Sequence, residues 1–380
     1  MNGVVVALPQ APGASVRAGG MRRTVFELGV TGGATLLFLP LCLALESLLG
    51  LERAELAVGF TMFHAAHAIN DPHFAVTYLL FYRDVRARLT SPELPRAQRL
   101  RYLMAGFVLP LALIGWAIGA LVSRSAPALG AMTQLMYLLV GFHYVKQGFG
   151  VVTLLSMRRG VQFSATERRA LLTHCYAAWA YGWASPFDPG STVEEKGVVY
   201  TTLAHPPWLE PAARAAFFAS AIWLALALLS KWSRERRLPL PPLVGFLCTL
   251  WFWTTYSGLN PLLIYVIPAL HSVQYLYFVW LLKHGEASAH EGPPEFGRPA
   301  RVVVGALAAG ALLLGLVLFH WLPQGLDAAL IDPGAAAATD LGTTPYFAAI
   351  FTFLNLHHYF MDFVIWRRDN PQTRYLRTCP

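Results

Sequence analysis

The sequence predicts an all-α fold, a polytopic transmembrane helix bundle of about ten spans in one domain. Of its 380 residues, 56% are hydrophobic and only 13% are charged, which is too apolar for an ordinary water-soluble domain. The apolar residues gather in long runs, and the lysines and arginines fall almost entirely in the connections between them. Composition, run length and charge placement all indicate an integral membrane protein.

Run length gives the number of spans. A bilayer core of about 30 Å needs roughly 20 apolar residues per helix. The weakest candidate is the stretch 167–185, because Arg168, Arg169 and His174 would also suit a helix lying in the membrane interface. The stretches that meet or approach the required length are 25–50, 55–82, 102–123, 128–156, 167–185, 210–230, 240–257, 260–282, 301–322 and 346–366.

The charges of the connections predict the orientation, because basic connections stay on the cytoplasmic side. If 167–185 did not cross, the basic segment 231–237 would face outward, so the charges favour ten spans with both termini cytoplasmic. The basic connections are 83–101, 157–169, 231–237, 283–301 and the tail from Arg367, whereas 186–207 and 323–345 are neutral or acidic.

We therefore expect a flexible N-terminal segment at 1–24, a single transmembrane domain at 25–366 and a cytoplasmic tail at 367–380. The Pro- and Gly-bearing connection 284–299 is expected to be a flexible loop. Topology accounts for the net charge of +8, so we expect membrane lipids and no nucleic acid as partners. The expected location is the cell (inner) membrane.

Histidines near the middles of the apolar stretches carry the strongest functional signal. Polar rings in hydrocarbon must find partners, and five or more that converge in one membrane domain indicate a metal or haem site. Other chemistries have no motif here, since the chain lacks a Gly-rich phosphate loop, a GxSxG elbow, an HExxH helix and a CxxC pair. The histidines concerned are His64, His67, His143, His271 and the doublet His357-His358.

Each of these stretches also places an acid, amide or phenol three or four residues after a histidine. That spacing puts both groups on one helix face, which is typical of a ligand and the neighbour that orients it. The pairs are His67 with Asp71, His143 with Gln147, His358 with Asp362, and His271 with Gln274 and Tyr275.

The second stretch holds the densest pattern. His64, His67 and Asp71 form one stripe of a helix, separated by small alanines. Pro72 removes a backbone donor and should kink or break the helix near Asn70 to Asp71, which could swing His73 toward the same centre. The alternative is a structural role, in which these rings pack between helices and form hydrogen bonds with neighbouring carbonyls.

The His357-His358 doublet could supply either two metal ligands or one ligand and a supporting neighbour. Adjacent side chains on a helix point roughly 100° apart, so both rings reach one centre only if it lies at the edge between them. His358 aligns better with Asp362, and His357 could instead support the ligands as a neighbour. His174 is a weaker candidate, and surface roles are expected for His205, His284, His290 and His320.

His64-x-x-His67 and His357-His358 resemble the histidine-rich integral-membrane desaturases and hydroxylases. That class uses non-haem iron and oxygen on lipid-like substrates. The chain differs from it in lacking three boxes of the HxxxH and HxxHH kinds, in placing the rings deeper and in having about ten spans.

The resemblance implies a membrane oxidoreductase of the oxygenase, desaturase or hydroxylase type that acts on a hydrophobic lipid or isoprenoid-like molecule, with an electron donor protein as partner. Iron, as one ion or a dinuclear pair, is the expected cofactor. In this hypothesis the metal ligands are His64, His67, His143, His271 and His358, with His73 and His357 as further candidates, and Asp71, Asp362 and Tyr275 assist catalysis.

A metal-dependent lyase, transferase or hydrolase would use the same metal site for another reaction. Two further alternatives use the same residues differently. A membrane electron carrier would hold b-type haem between two histidines and would leave the remaining histidines unexplained. A proton- or metal-coupled transporter would use the histidine and aspartate groups as a relay or transit path.

Overall fold

A computed structural model of the chain describes residues 19–184, 190–332, 334, 339–367 and 370–378. Over these residues the protein is a bundle of helices with one small hairpin, as the sequence predicts for the fold class. The helices of the first half are α1 (Gly19–Leu28), α2 (Thr35–Leu49), α3 (Leu51–Ala66), α4 (Asn70–Tyr82), α5 (Val85–Thr90), α6 (Arg96–Leu103), α7 (Leu109–Val122), α8 (Ala126–Arg158) and α9 (Ala165–Ala184). Those of the second half are α10 (Leu209–Glu235), α11 (Leu240–Leu250), α12 (Pro261–Glu291), α13 (Ala300–Leu316), α14 (Leu322–Leu330), α15 (Pro345–Ile365) and α16 (Tyr375–Thr378).

Six of the helical stretches are long and apolar enough to cross a membrane, or seven if α1 and α2, which are bent by 60°, count as one broken span. Helix α9 is not in this set, in keeping with the weak signal of 167–185, and Leu240–Thr255 is a shorter apolar helix. Each of the predicted stretches is mostly helical over its described residues, while the count of ten spans and the cytoplasmic termini remain predictions. The six are Arg96–Val122, Ala126–Arg158, Leu209–Glu235, Pro261–Glu291, Ala300–Leu330 and Pro345–Ile365.

The second predicted stretch is broken. Helix α3 ends at Ala66, a turn follows, and α4 begins at Asn70. Pro72 lies in the first turn of α4, where its missing N–H breaks no helical hydrogen bond. The predicted break is therefore confirmed, a few residues before the expected point, and it lets α4 bury most of its length.

Helices α12 and α15 lie at the centre of the bundle. The most apolar windows of these helices are 56% and 67% buried, against 17% for Ala300–Leu330, so the latter covers the outside. Helix α4 packs against both α12 and α15, and helix α8 packs against α15. The helices that carry the predicted histidines are therefore neighbours.

Four five-residue π-helical turns interrupt the bundle's helices. A π turn shifts the register of the side chains that follow, and such turns are frequent at functional sites. They lie at Gly29–Gly33, Met104–Val108, Trp251–Thr255 and Val317–Trp321.

A β-hairpin that the sequence did not predict lies in the connection after α9. Strands β1 (Thr192–Glu195) and β2 (Val198–Thr201) pair antiparallel, with Glu195 opposite Val198. Lys196 and Gly197, with φ of 55° and 80°, make the two-residue turn. Tyr200 packs on Gly130 of α8, where a Cβ would come within 2.3 Å of the ring.

The expected loop and termini differ in part from the structure. Helix α12 continues to Glu291, so the first half of 284–299 is helical instead of a loop. Residues 1–18 of the expected flexible segment lie outside the described residues, while α1 begins at Gly19. In the tail, Tyr375 and Leu376 pack into a cluster with α12.

Candidate metal centre

Four histidines from four different helices meet in the middle of the bundle. Their side chains come from α4, α8, α12 and α15, so helix packing alone brings them together. All are shielded from solvent, with exposed fractions of 1%, 7%, 3% and 0%. They are His73, His143, His271 and His358, and we call them the histidine cluster.

The rings form a closed cycle in which each contacts two others. The centroids lie 5.0 Å apart for His73–His271, 4.5 Å for His73–His358, 4.9 Å for His143–His271 and 5.0 Å for His143–His358. All four contacts are edge to face, with interplanar angles from 67° to 84°. Imidazoles bound to one ion at about 2.1 Å, at angles of roughly 90° to 110°, would have centroids about 4.5 to 5.3 Å apart.

Several nitrogens of the cluster lack hydrogen-bond partners. Among the described residues, none forms a hydrogen bond with Nε2 of His73, Nδ1 of His271 or either ring nitrogen of His358. A buried polar atom without a partner costs about 1–3 kcal/mol, so four together need compensation. A metal ion at the centre would supply it, because imidazole lone pairs are its natural ligands.

The ring of His73 is held so that its free nitrogen carries a lone pair. The hydroxyl of Ser272 donates to Oδ1 of Asn70 at 2.9 Å and so can accept from Nδ1–H of His73 at 3.2 Å. Nε2 is then unprotonated, and it forms no hydrogen bond with any of the described residues. This is the second hydrogen bond that metal-binding histidines usually make.

A buried aspartate borders the cluster. Tyr275 donates to Oδ1 of Asp362 at 2.7 Å, and the indole of Trp366 donates to the same oxygen at 3.3 Å. The other oxygen, Oδ2, lies 3.5 Å from Nε2 of His358 and 3.8 Å from Nε2 of His143. Asp362 therefore has one oxygen anchored and one directed at the rings.

These residues form two overlapping triads of donors. In each triad, one donor atom per residue lies within 4.8 Å of the others, and His143 belongs to both. Nitrogen donors with one carboxylate suit iron, manganese or zinc and do not suit magnesium or calcium. The triads are His73, His143 and His271, and His143, His358 and Asp362.

The two amides that were predicted to orient His143 and His271 form hydrogen bonds with other groups. Gln147 donates to Oε1 of Gln274 at 2.7 Å, and Gln274 donates to the carbonyl of Thr31 at 2.9 Å. The two amides thus link α8 and α12 to the turn after α1 and do not orient the rings of His143 and His271 as expected. Their spacing is right for one helix face, but each amide finds a partner on another helix.

A second group forms where α3 ends. His67 and Asp71, predicted as a pair, lie with His320 of the π turn Val317–Trp321, and one donor atom of each falls within 4.8 Å of the others. Nε2 of His320 lies 2.8 Å from Oδ2 of Asp71. The surface role expected for His320 was therefore wrong. Helix α13, which leads into the π turn that carries His320, packs against α4.

Two predicted ligands join neither group. His64 is exposed on α3 and contacts Phe60 and Phe63. His357 turns away from His358: its Nε2 lies 3.0 Å from the Ala105 carbonyl and its Nδ1 lies 3.0 Å from the Tyr78 hydroxyl. Both nitrogens of His357 are satisfied, so it fits the supporting role that the doublet left open.

A large cavity reaches both groups. Its volume is about 1830 Å³, and its wall includes His73 and His271 of the cluster as well as Asp71 and His320. Residues of the hairpin also line it, and much of the wall is aromatic or aliphatic. Aromatic residues of the wall include Phe63, Phe74, Tyr144, Trp253, Phe319 and Phe351.

No protein-family model matches the chain, and no curated protein or solved structure is significantly similar to it.

Proposed function

We propose that this chain is a metal-dependent membrane oxidoreductase that acts on a hydrophobic lipid or isoprenoid-like molecule. The observation that carries the proposal is the cycle of four buried imidazoles from four helices, in which His73, His271 and His358 each have a ring nitrogen without a hydrogen-bond partner among the described residues. In the same cycle, Nε2 of His143 and Nε2 of His271 lie 3.1 Å apart. Hydrocarbon would not hold such a group together without a compensating ion. Iron is the proposed metal, because nitrogen donors with one carboxylate are its usual non-haem ligands.

The cavity supports an apolar substrate. Its volume of about 1830 Å³ exceeds the roughly 300–1,000 Å³ of pockets for ordinary small ligands. Its wall is largely apolar, while His73 and His271 present polar edges to it. A long apolar molecule could fill the cavity with one part of its chain against the cluster.

The chain's own residues would position and shield the reaction. Ser272 and Asn70 fix the ring of His73, and Tyr275 and Trp366 fix Asp362. The apolar part of the wall would limit access of water to a reactive oxidant. A redox-active ion in the cluster would supply the activation of dioxygen, and a donor protein would supply electrons where the reaction needs them.

The ring spacing favours an ion over b-type haem. Haem takes its axial ligands on opposite faces of a flat macrocycle, so its ligand rings cannot touch each other. Here every ring of the cluster contacts two others at 4.5 to 5.0 Å. The contacts leave no gap for a porphyrin between facing rings.

The cavity also favours a reaction chamber over a transit path. Its wall runs from the hairpin to His73 and His271. None of its lining residues belongs to the basic connections 83–101, 157–169 or 231–237, which the charge pattern assigns to the cytoplasm. A transporter would need an opening on that side as well.

The test compares the adjacent histidines of the doublet in full-length protein purified in detergent. We expect wild-type protein to contain a transition metal without a haem Soret band. His358→Ala should carry one ion fewer per chain, whereas His357→Ala should keep the wild-type metal content, because His357 already bonds Ala105 and Tyr78. The measurements are elemental analysis and a visible spectrum.

Size-exclusion profiles would verify that both variants fold. Wild-type protein without metal, or equal metal content in the folded His357→Ala and His358→Ala variants, would rule the proposal out. A strong Soret band would favour the haem alternative instead.

A further inference from the structure

We propose that His67, Asp71 and His320 form a second, separate site for a divalent transition-metal ion on the wall of the same cavity. Two histidines and one carboxylate make a ligand set that leaves coordination positions open to solvent or substrate. The group shares no residue with the histidine cluster. The inference therefore does not depend on the function proposed for that cluster.

The donors come together at two irregular points of the backbone. His67 lies in the turn between α3 and α4, and Asp71 follows in the first turn of α4. His320 lies in the π turn Val317–Trp321, which interrupts an otherwise continuous outer helix. A helix break facing a π turn is the kind of local distortion that accompanies functional sites.

The ring of His67 is in the tautomer that a ligand needs. Its Nδ1 lies 3.1 Å from the carbonyl oxygen of Phe63, which can only accept a hydrogen bond. Nδ1 is therefore the protonated nitrogen, and Nε2 keeps its lone pair for another partner. Metal-binding histidines characteristically donate their second N–H to a backbone carbonyl in this way.

A glycine lets the two helices approach closely enough. Gly315 of α13 faces Asp71, and a Cβ at that position would lie 3.0 Å from both the carbonyl carbon and the Cβ of Asp71. This close packing brings His320, five residues further along, to 2.8 Å from Oδ2 of Asp71. The contact joins residues 249 positions apart in sequence.

Metal binding would require one ring to turn. The rings of His67 and His320 stack with centroids 4.0 Å apart and an interplanar angle of 12°. An ion lies in the plane of each imidazole that binds it, so parallel stacked rings cannot share one until one of them tilts. His67 is only partly buried and lies in a turn, so its ring has room to do so.

The experiment counts ions in full-length protein that is stripped with a chelator in detergent and reloaded with Co²⁺ alone. We expect two bound ions per chain by elemental analysis. His320→Gln should bind one, because glutamine keeps an N–H donor for Asp71 but removes the imidazole ligand. His67→Gln should also bind one, and the control His64→Gln, a neighbouring ring outside the group, should bind two.

The variant His358→Ala separates this site from the first. It should lose the cluster ion and keep the second, and the double variant with His320→Gln should bind none. Two ions in folded His320→Gln, or one ion in wild type that only His358→Ala removes, would overturn the second site and leave the proposed function standing. A wild-type chain that binds no Co²⁺ would contradict both.

Discussion

At the scale of single residues, the hydrogen bonds of a buried histidine separate packing from ligation. His174 is fully satisfied: the indole of Trp251 donates to its Nε2 at 3.1 Å, and its Nδ1 lies 2.9 Å from the hydroxyl of Ser220. His357 is satisfied in the same way. His358, its neighbour in sequence, has no such partner for either nitrogen among the described residues. Burial alone therefore does not distinguish a ligand from a packing residue, and the proposed assignment of His358 as a ligand rests on its unpaired nitrogens.

Tyr275 should tune the cluster without binding the ion. Its hydroxyl anchors Asp362 at 2.7 Å, so Tyr275→Phe would free that carboxylate to move away from the rings. Loss of such a supporting contact typically weakens metal binding about 10- to 100-fold. Tyr78→Phe is the matched control, because the Tyr78 hydroxyl bonds to His357 and not to the cluster.

A competition titration with a chromophoric chelator measures both tyrosine variants. We expect tighter metal retention in Tyr78→Phe than in Tyr275→Phe. Equal affinities would mean that Asp362 plays no part in holding the ion.

At the scale of elements, breaks in helices redirect polar groups within a bundle that is otherwise assembled by helix packing. The turn between α3 and α4 separates His67 from His73, so that two histidines of one predicted span serve different groups. The π turn Met104–Val108 places the Ala105 carbonyl against His357. Each irregularity redirects a polar group that a regular helix would aim elsewhere.

The close contact between α13 and α4 gives a prediction for helix packing. Gly315→Ala would place a methyl group against the backbone of Asp71, which cannot give way as a flexible side chain can. Such overpacking costs about 1–3 kcal/mol. Gly310→Ala, on the same helix, would meet only Leu79 Cδ1 at 3.6 Å, an ordinary contact.

Thermal unfolding in detergent compares these glycine variants. We expect a lower midpoint for Gly315→Ala and a midpoint at or above that of wild type for Gly310→Ala, since alanine also favours the helix. A Gly315→Ala protein as stable as wild type would show that the two helices can separate freely.

At the scale of the whole molecule, the central helices carry the buried histidines, and the outer helices expose apolar side chains. The windows of α12 and α15 are 56% and 67% buried, while Ala300–Leu330 and Leu209–Glu235 are only 17% and 22% buried and expose apolar side chains. The hairpin contributes to the wall of the cavity. On the predicted orientation, the connection that contains the hairpin faces away from the cytoplasm.

Cysteine labelling tests this orientation. Thr192 in β1 and Ser233 near the end of α10 are both exposed. In a background with Cys379 replaced by serine, Thr192→Cys should react with a membrane-impermeant maleimide on intact cells. Ser233→Cys should react only after the cells are permeabilised, because the basic segment 231–237 is predicted to be cytoplasmic.

The same background protein without an added cysteine is the control, since Cys42, Cys175 and Cys248 are buried. Labelling of both sites from one side would overturn the predicted alternation between α9 and α10.

The sequence by itself determined the class of the molecule and most of its polar candidates. Run length and composition predicted the helices, Pro72 predicted the break that frees His73, and His143, His271, His358 and Asp362 were identified from their depth in apolar stretches. These are local properties, because the thickness of a bilayer and the geometry of one helix are reflected directly in the order of residues.

Only the tertiary structure decided which of these groups meet. It divided the candidates into two groups, added His320, and excluded His64 and His357 from both. The hairpin and the cavity were also found only in the tertiary structure. The physical reason is that convergence depends on helix rotation, on π turns and on close approaches such as that of Gly315 to Asp71, which join residues far apart in the chain and leave no periodic pattern in it.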